Sequence, residues 1–242
     1  MAFYKSISPW YNHIFPLKKP MVDFVLQAIP EESGENVLDI GCATGLLSQA
    51  IADRCSQVLG IDLDTDMIRR ANEDNAYEHV TYLEMNMLNM DHILKKETMD
   101  KVICFGNTLV HLTDQEEIFS ALKNITYVLK KGGKLMIQIL NYHYILDTNM
   151  KALPLIDNEH IKFERFYSEQ VRDERLIFET RLTVKDTGNV ISNEIYLYPL
   201  LKDQLEKMLL ELGYTSIHFY GNFKRKPYHY EHLPLIVEAI RH

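Results

Sequence analysis

Apolar positions in the first 140 residues alternate between two patterns. Short apolar runs at 36–40, 57–62, 80–83, 101–105 and 134–140 read as strands, the last apolar on both faces through its middle. Between them apolar residues recur at helical spacing. Met21, Phe24, Val25 and Ala28 follow Pro20 and stop at Pro30; Leu46, Leu47, Ala50 and Ile51 form a second face; Met67, Ile68 and Ala71 lie behind an Asp64 cap. A fourth helix carries Ile118, Leu122, Ile125 and Leu129 behind a Thr113–Glu116 capping box and stops at Lys130-Lys131-Gly132-Gly133. Continuous apolar strands alternating with amphipathic helices predict a parallel sheet covered on both faces.

After residue 143 the period changes. Segments 160–167, 174–184 and 190–198 alternate in strand fashion, and Lys185-Asp186-Thr187-Gly188-Asn189 turns the last two into a hairpin. Leu201–Leu212 reads as a helix ended by Gly213, with Ser216–Tyr220 and Leu233–Ile240 as the final strands. The expected architecture is α/β, with residues 1–142 and 200–242 as the core and 143–199 as a small antiparallel insertion. The opening Phe3-Tyr4-Lys5-Ser6-Ile7-Ser8-Pro9-Trp10-Tyr11 is too apolar for a free tail. With the insertion it can reach the carboxyl edge of the sheet, where such sheets bind ligands, and form a lid there.

The chemistry concentrates at one turn. Val37-Leu38-Asp39-Ile40 breaks into Gly41-Cys42-Ala43-Thr44-Gly45, and the second strand ends in Asp62, twenty-one residues after Gly41. Nucleoside-binding βαβ units place an acid about 20 residues beyond the glycine turn. Glycine lets a ligand approach the backbone, and Asp62 would accept hydrogen bonds from two ribose hydroxyls. A dinucleotide site wants G-x-G-x-x-G, but here Ala43 and Leu46 stand at the second and third positions. Pyrophosphate needs close backbone approach, so an NAD-dependent oxidoreductase is disfavoured.

The run Asp39–Gly45 instead resembles the glycine-rich motif of class I S-adenosylmethionine-dependent methyltransferases. The resemblance implies a Rossmann-like class I methyltransferase sheet, mostly parallel with an antiparallel C-terminal strand, and S-adenosyl-L-methionine as cofactor with S-adenosyl-L-homocysteine as product. Gly41, Ala43, Gly45, Asp62, Leu63, Met67, Asn86, Met87, Phe105 and Gly106 are the expected cofactor residues in the core. Asn86 stands where the family usually has an acid, and its carbonyl oxygen can still accept from an adenine amino group. Tyr4 and Tyr11 join them from the N-terminal segment; with Trp10 they offer aromatic faces to a sulfonium or an amine. Val102–Leu112, Ala121–Ile125, Gly132-Gly133, Asn141-Tyr142, Tyr196–Pro199 and Gly221–Lys224 further resemble the glycine and sarcosine N-methyltransferase group. That resemblance implies that Asn107 contacts the substrate near the transferred methyl and that Tyr198 lines the same site. The group places an arginine before Asn-Tyr to clamp an amino-acid carboxylate; Leu140 stands there, and Arg165, Arg172, Arg175 and Arg181 of the insertion are the possible substitutes. His111 and His143 lie near strand ends, and His111 is the candidate base if the acceptor arrives protonated.

Composition narrows the partners. The chain has 242 residues, 46% hydrophobic and 25% charged, with a net charge of −8. No basic face exists for a phosphate backbone, and Lys224-Arg225-Lys226 is too short to make one, so nucleic acid is excluded. Three cysteines at unrelated spacings fit neither a disulfide framework nor a metal site and suit a reducing cytoplasm. No signal-peptide pattern opens the chain, and no apolar stretch approaches about 18 residues, so no membrane partner is expected. The expected protein is a cytoplasmic monomer or homodimer that methylates a small molecule, at nitrogen. The alternatives are an oxygen- or carbon-directed methyltransferase and a non-catalytic cofactor-binding protein.

Overall fold

The structure is a computed structural model that describes residues 2–31 and 34–242, without the side chains of Ala2 and of 169–172. The chain opens with two short helices, α1 (Ala2–Ile7) and α2 (Tyr11–Ile14), then α3 (Lys19–Leu26). β1 (Glu35–Ile40), α4 (Leu46–Ile51), β2 (Cys55–Asp62), α5 (Thr65–Asp74), β3 (Val80–Glu84), α6 (Met90–Ile93), β4 (Met99–Cys104), α7 (Gln115–Val128) and β5 (Leu129–Leu140) follow. After α8 (Tyr142–Asp147) come β6 (Ile156–Asp157), β7 (Ile161–Arg172), β8 (Arg175–Val184) and β9 (Val190–Leu197), then α9 (Lys202–Glu211), β10 (Tyr214–Tyr220) and β11 (Pro234–Arg241).

A seven-stranded sheet has the order β10-β11-β5-β4-β1-β2-β3. β5, β4, β1, β2 and β3 are parallel, and β11 is antiparallel to both of its neighbours. This is a Rossmann-like sheet. Alternation at period two sends Leu38, Ile40, Val102, Cys104, Ile137 and Val237 to one face, against Ile118, Leu122 and Ile125 of α7 and Leu205 and Leu209 of α9. Val37, Val58, Ile103, Met136 and Ile236 face the other way, against Phe24 and Val25 of α3 and Leu47 and Ile51 of α4. Both faces are therefore sealed, as the continuous apolar strands required. A second, antiparallel sheet runs β6-β7-β8-β9.

Two local readings are corrected. The cap of α7 sits one residue later than Thr113: the Asp114 carboxylate accepts from Glu117 N–H at 2.8 Å, and the Glu117 carboxylate accepts from Thr113 N–H at 2.8 Å. An ionised acceptor satisfies the first helical donors better than a hydroxyl, and the capping side chains are Asp114 and Glu117, the latter reaching back to Thr113 N–H, not Thr113 and Glu116. Leu129 belongs to β5, paired with Met99, although its helical spacing placed it on α7. The chain turns at Gly132, φ +75°, before the longer run of pairing from Lys134.

Candidate active site

The strand order reverses between β1 and β4, which opens a crevice at their carboxyl ends. The turn after β1 is built for it. Gly41 (φ +72°), Ala43 (φ +49°) and Gly45 (φ +82°) are all left-handed, and Gly41 and Cys42 N–H donate to Ile61 O at 2.8 and 3.0 Å. A Cβ on Gly45 would lie 2.5 Å from the Tyr82 ring and hydroxyl, whose Oη donates to Gly45 O at 3.0 Å. The loop thus lies tight on the sheet, with its outer side open.

Asp62 closes that loop from the end of β2. Its carboxylate accepts from Ala43 N–H at 2.9 Å and from Asp64 N–H at 3.0 Å. Burial pushes its pKa above the usual carboxylate range, while those two N–H groups pull the other way. Two acceptor oxygens carry about four lone-pair sites, so capacity remains for a ligand diol.

The N-terminal segment forms the roof. Thr44 Oγ1 donates to Asn12 Oδ1 at 2.6 Å, tying α2 to the glycine turn. Tyr4 Oη and His111 Nε2 share a hydrogen bond at 2.8 Å. Phe3, Ile7 and Ile14 pack with Ile161, Phe163 and Leu182 of the second sheet, so the roof rests on the insertion. Beneath it lies a cavity of about 240 Å³. Burial lowers the His111 pKa to about 4, so its imidazole is neutral near pH 7, and burial raises that of Tyr4.

The cavity brings together Tyr4, Tyr11, Gly41, Ala43, Asp62, Leu63, Asn86, Met87, Phe105, Gly106 and His111 from the residues the sequence singled out. These suit a nucleoside with a cationic tail. The half-buried Asp62 carboxylate ends β2, Asn86 and Met87 follow β3, and a Cβ on Gly106 would meet only open space.

Comparison with known proteins agrees. Residues 37–133 match the family model described as a methyltransferase domain. The glycine/sarcosine N-methyltransferase of Aphanothece halophytica is 27% identical over 211 residues, 86% of this chain and 76% of that protein. The glycine N-methyltransferase of Mus musculus is 31% identical over 137 residues, 52% of this chain and 47% of that protein, so the match spans about half of the mouse protein. The fold matches the crystal structure of an S-adenosylmethionine-dependent methyltransferase from Clostridium acetobutylicum with a TM-score of 0.80 at 15% identity, covering 99% of each chain. Residues 37–133 are thus similar to a methyltransferase domain.

Four of the singled-out residues do not line the cavity. Gly45 is pressed on Tyr82, and Met67 is buried on the inner side of α5, its N–H donating to Asp64 Oδ1 at 3.1 Å. Asn107 donates from Nδ2 to Tyr142 Oη and accepts Leu140 N–H at Oδ1, both at 2.9 Å. Tyr198 is buried in the main core, its N–H donating to Val110 O at 2.9 Å. His143 lies away from the cavity, beside Tyr230 and Asp147. Leu140 is half-buried against the main core. Of its possible substitutes, Arg172 has a side chain outside the described residues.

Sequence reasoning missed Asp64, Met85, Leu88, Thr108, Leu112 and Glu117, which also line the cavity. Their adjacency to named strand-end positions was the available signal for all but Glu117, which the first turn of α7 carries in. Among the described residues no group of three or more His, Cys, Asp or Glu could hold a metal ion. None of the described helices is long and apolar enough to cross a membrane.

Proposed function

We propose that this protein transfers the methyl group of S-adenosylmethionine to a nitrogen of a small molecule. The observation that carries the reading is the crevice between β1 and β4, with Asp62 tied to the glycine turn and Tyr4 and Tyr11 roofing it. When bound, the cofactor supplies an electrophilic methyl on a sulfonium. Asp62 would hold the ribose, Asn86 and Met87 the adenine, and Gly106 and Phe105 the methionine part. The roof would exclude water and fix the acceptor lone pair in line behind the methyl, where alignment contributes most of the rate.

Nitrogen is favoured by the names of the relatives and by the polarity of the acceptor end. His111, neutral near pH 7, accepts or donates at Nε2 and orients Tyr4 Oη toward the cavity. A base whose pKa is near 4 removes protons poorly from an ammonium, so the acceptor would enter as the free amine. Asn107 and Tyr198 would act from the wall, Asn107 by setting Tyr142 and the end of β5. The three cysteines are buried and unpaired, which suits a reducing compartment such as the cytoplasm.

Calorimetric titration with S-adenosylhomocysteine, with NADH as comparison, tests the cofactor reading; turnover with small amines, alcohols and carbon acids then tests the acceptor. Binding of S-adenosylhomocysteine and methylated amine product are expected. NADH binding in its place would overturn the reading, and cofactor binding without turnover of any acceptor would favour a non-catalytic cofactor-binding protein.

A further inference from the structure

Two successive residues of the turn after β4 are left-handed, Gly106 at φ +74° and Asn107 at φ +68°. Glycine takes that conformation freely, and asparagine tolerates it at some cost. Such a turn persists only where its surroundings over-determine it. A Cβ on Gly106 would meet only open space, so no side chain packs over it and its orientation depends on hydrogen bonds.

β5 supplies those bonds. Gly106 N–H donates to Gln138 Oε1 at 2.9 Å, and Asn107 N–H donates to Gln138 O at 3.1 Å. One residue thus holds both amides of the turn, one through its side chain and one through its backbone. Any residue at 138 would offer the backbone carbonyl; only the side-chain oxygen depends on glutamine. The Phe105–Gly106 peptide is trans, so its carbonyl points away from its N–H. On that other side Thr108 Oγ1 donates to Phe105 O at 2.7 Å. The plane of this one peptide is therefore pinned at both ends, by Gln138 from β5 and by Thr108 from the turn itself.

Phe105, Gly106 and Thr108 line the cavity, and Gln138 does not. It stands half-buried on β5, opposite Ile236 of β11, one layer behind the wall. We propose that Gln138 is a positioning residue for the methionine part of the cofactor. Its side-chain oxygen fixes the Phe105–Gly106 peptide, and with it the wall along which that part lies. Without the oxygen the peptide can turn, and the sulfonium methyl loses its alignment with the acceptor. The nucleoside end, held on Asp62 and Asn86 from β2 and β3, is untouched by such a turn. The inference rests on the methyl-transfer reading of the same site.

The test uses the full chain and two ligands that share the nucleoside: S-adenosylhomocysteine, and methylthioadenosine, which lacks the amino-acid part. Gln138→Met keeps the length of the side chain and removes the acceptor. It is expected to weaken S-adenosylhomocysteine binding about three- to tenfold, the range of one neutral hydrogen bond, and to leave methylthioadenosine affinity unchanged. Gln138→Glu keeps an acceptor oxygen and should bring S-adenosylhomocysteine affinity back to within about twofold of wild type. Equal weakening of both ligands would assign Gln138 to the fold alone and overturn the proposal. Unchanged affinity for both, or a Gln138→Glu protein as weak as Gln138→Met, overturns it too. A measurement on the wild type keeps the test valid if the variants fold poorly. The Gly106 amide proton should exchange with solvent at least about tenfold more slowly than an open loop amide, and exchange at the open-loop rate overturns the proposal. Failure of the wild type to bind S-adenosylhomocysteine is seen first, in the separate titration, and removes the methyl-transfer reading itself.

Discussion

Asp62→Asn separates the stability of the fold from the affinity for the cofactor. In the unliganded protein the carboxylate accepts from Ala43 and Asp64 N–H at 2.9 and 3.0 Å. Hydrogen bonds to a charged partner contribute about 1.5–3 kcal/mol each in mutational series. Burial opposes them and is the largest influence on this group, whose pKa is raised. A folded pKa above the unfolded one means that the ionised form weakens the fold, and that this part of the stability falls as pH rises through the carboxylate range. Asparagine removes the desolvated charge but puts an NH2 where one oxygen was, so one backbone N–H must face a donor. The two changes oppose each other and should leave the net effect within about 1–2 kcal/mol. For a chain of this length that is a Tm shift of a few degrees, at about 2–4 °C per kcal/mol. The ligand is affected differently. Two ribose hydroxyls need two acceptor oxygens, and the amide offers one. Losing one charge-assisted bond and weakening the other amounts to about 3 kcal/mol, roughly a hundredfold in Kd. Calorimetry with S-adenosylhomocysteine and parallel thermal unfolding measure both numbers. Unchanged affinity would refute the placement of the ribose on Asp62. A Tm collapse of tens of degrees would show that Asp62 is held for the fold.

Gly45→Ala combines left-handed strain, about 1–2 kcal/mol, with a Cβ 2.5 Å from Tyr82, and should lower Tm by several degrees. Gly106→Ala carries only the strain, since open space surrounds its Cβ; it should lower Tm by a few degrees less than Gly45→Ala and also weaken S-adenosylhomocysteine binding. His111 has a folded pKa of about 4 against an ordinary 6.5, so the unfolded chain takes up its proton first as pH falls. Its neutral burial therefore loses up to about 3 kcal/mol of stability between those values, and His111→Gln should flatten denaturant stability over that window. Asn12→Ala removes the acceptor of Thr44 Oγ1 at the roof, a loss of about 1 kcal/mol that should speed S-adenosylhomocysteine release up to about fivefold in stopped-flow and lower Tm by only about 2–4 °C. An unchanged release rate would mean that the roof does not gate the cavity.

The alternating doubly wound sheet was legible because its signals are local. Apolar runs at 36–40 and 101–105, helical spacing in 115–128 and the glycine turn before Leu46 each declare themselves within a dozen residues. β1 and β2 began within two residues of their expected starts. The helices α1, α2 and α8 were not legible. Each is four to six residues long, too short to be stable alone, and each owes its order to packing on distant elements. The cap of α7 was misplaced by one residue because Thr113-Asp114 presents two adjacent candidates, and only the finished geometry selects the carboxylate.

The sequence by itself determined the fold class and the acid at the end of β2, because those follow from short-range spacing and from the chemistry of single side chains; the cofactor type came from the resemblance of Asp39–Gly45 to a known motif. Tertiary structure alone decided which named residues share one cavity. Tyr4 and His111 meet across 107 positions, and Thr44 and Asn12 across 32. Asn107 and Tyr198, chosen by motif, do not line the cavity: the Asn107 amide is taken by Tyr142 and Leu140, and Tyr198 is buried in the main core. The polar row of Arg165 and Thr180 in the insertion sheet has no one-dimensional signature at all. It exists only because the register of β7 against β8 sets the two residues opposite each other, and burial then withholds water from both.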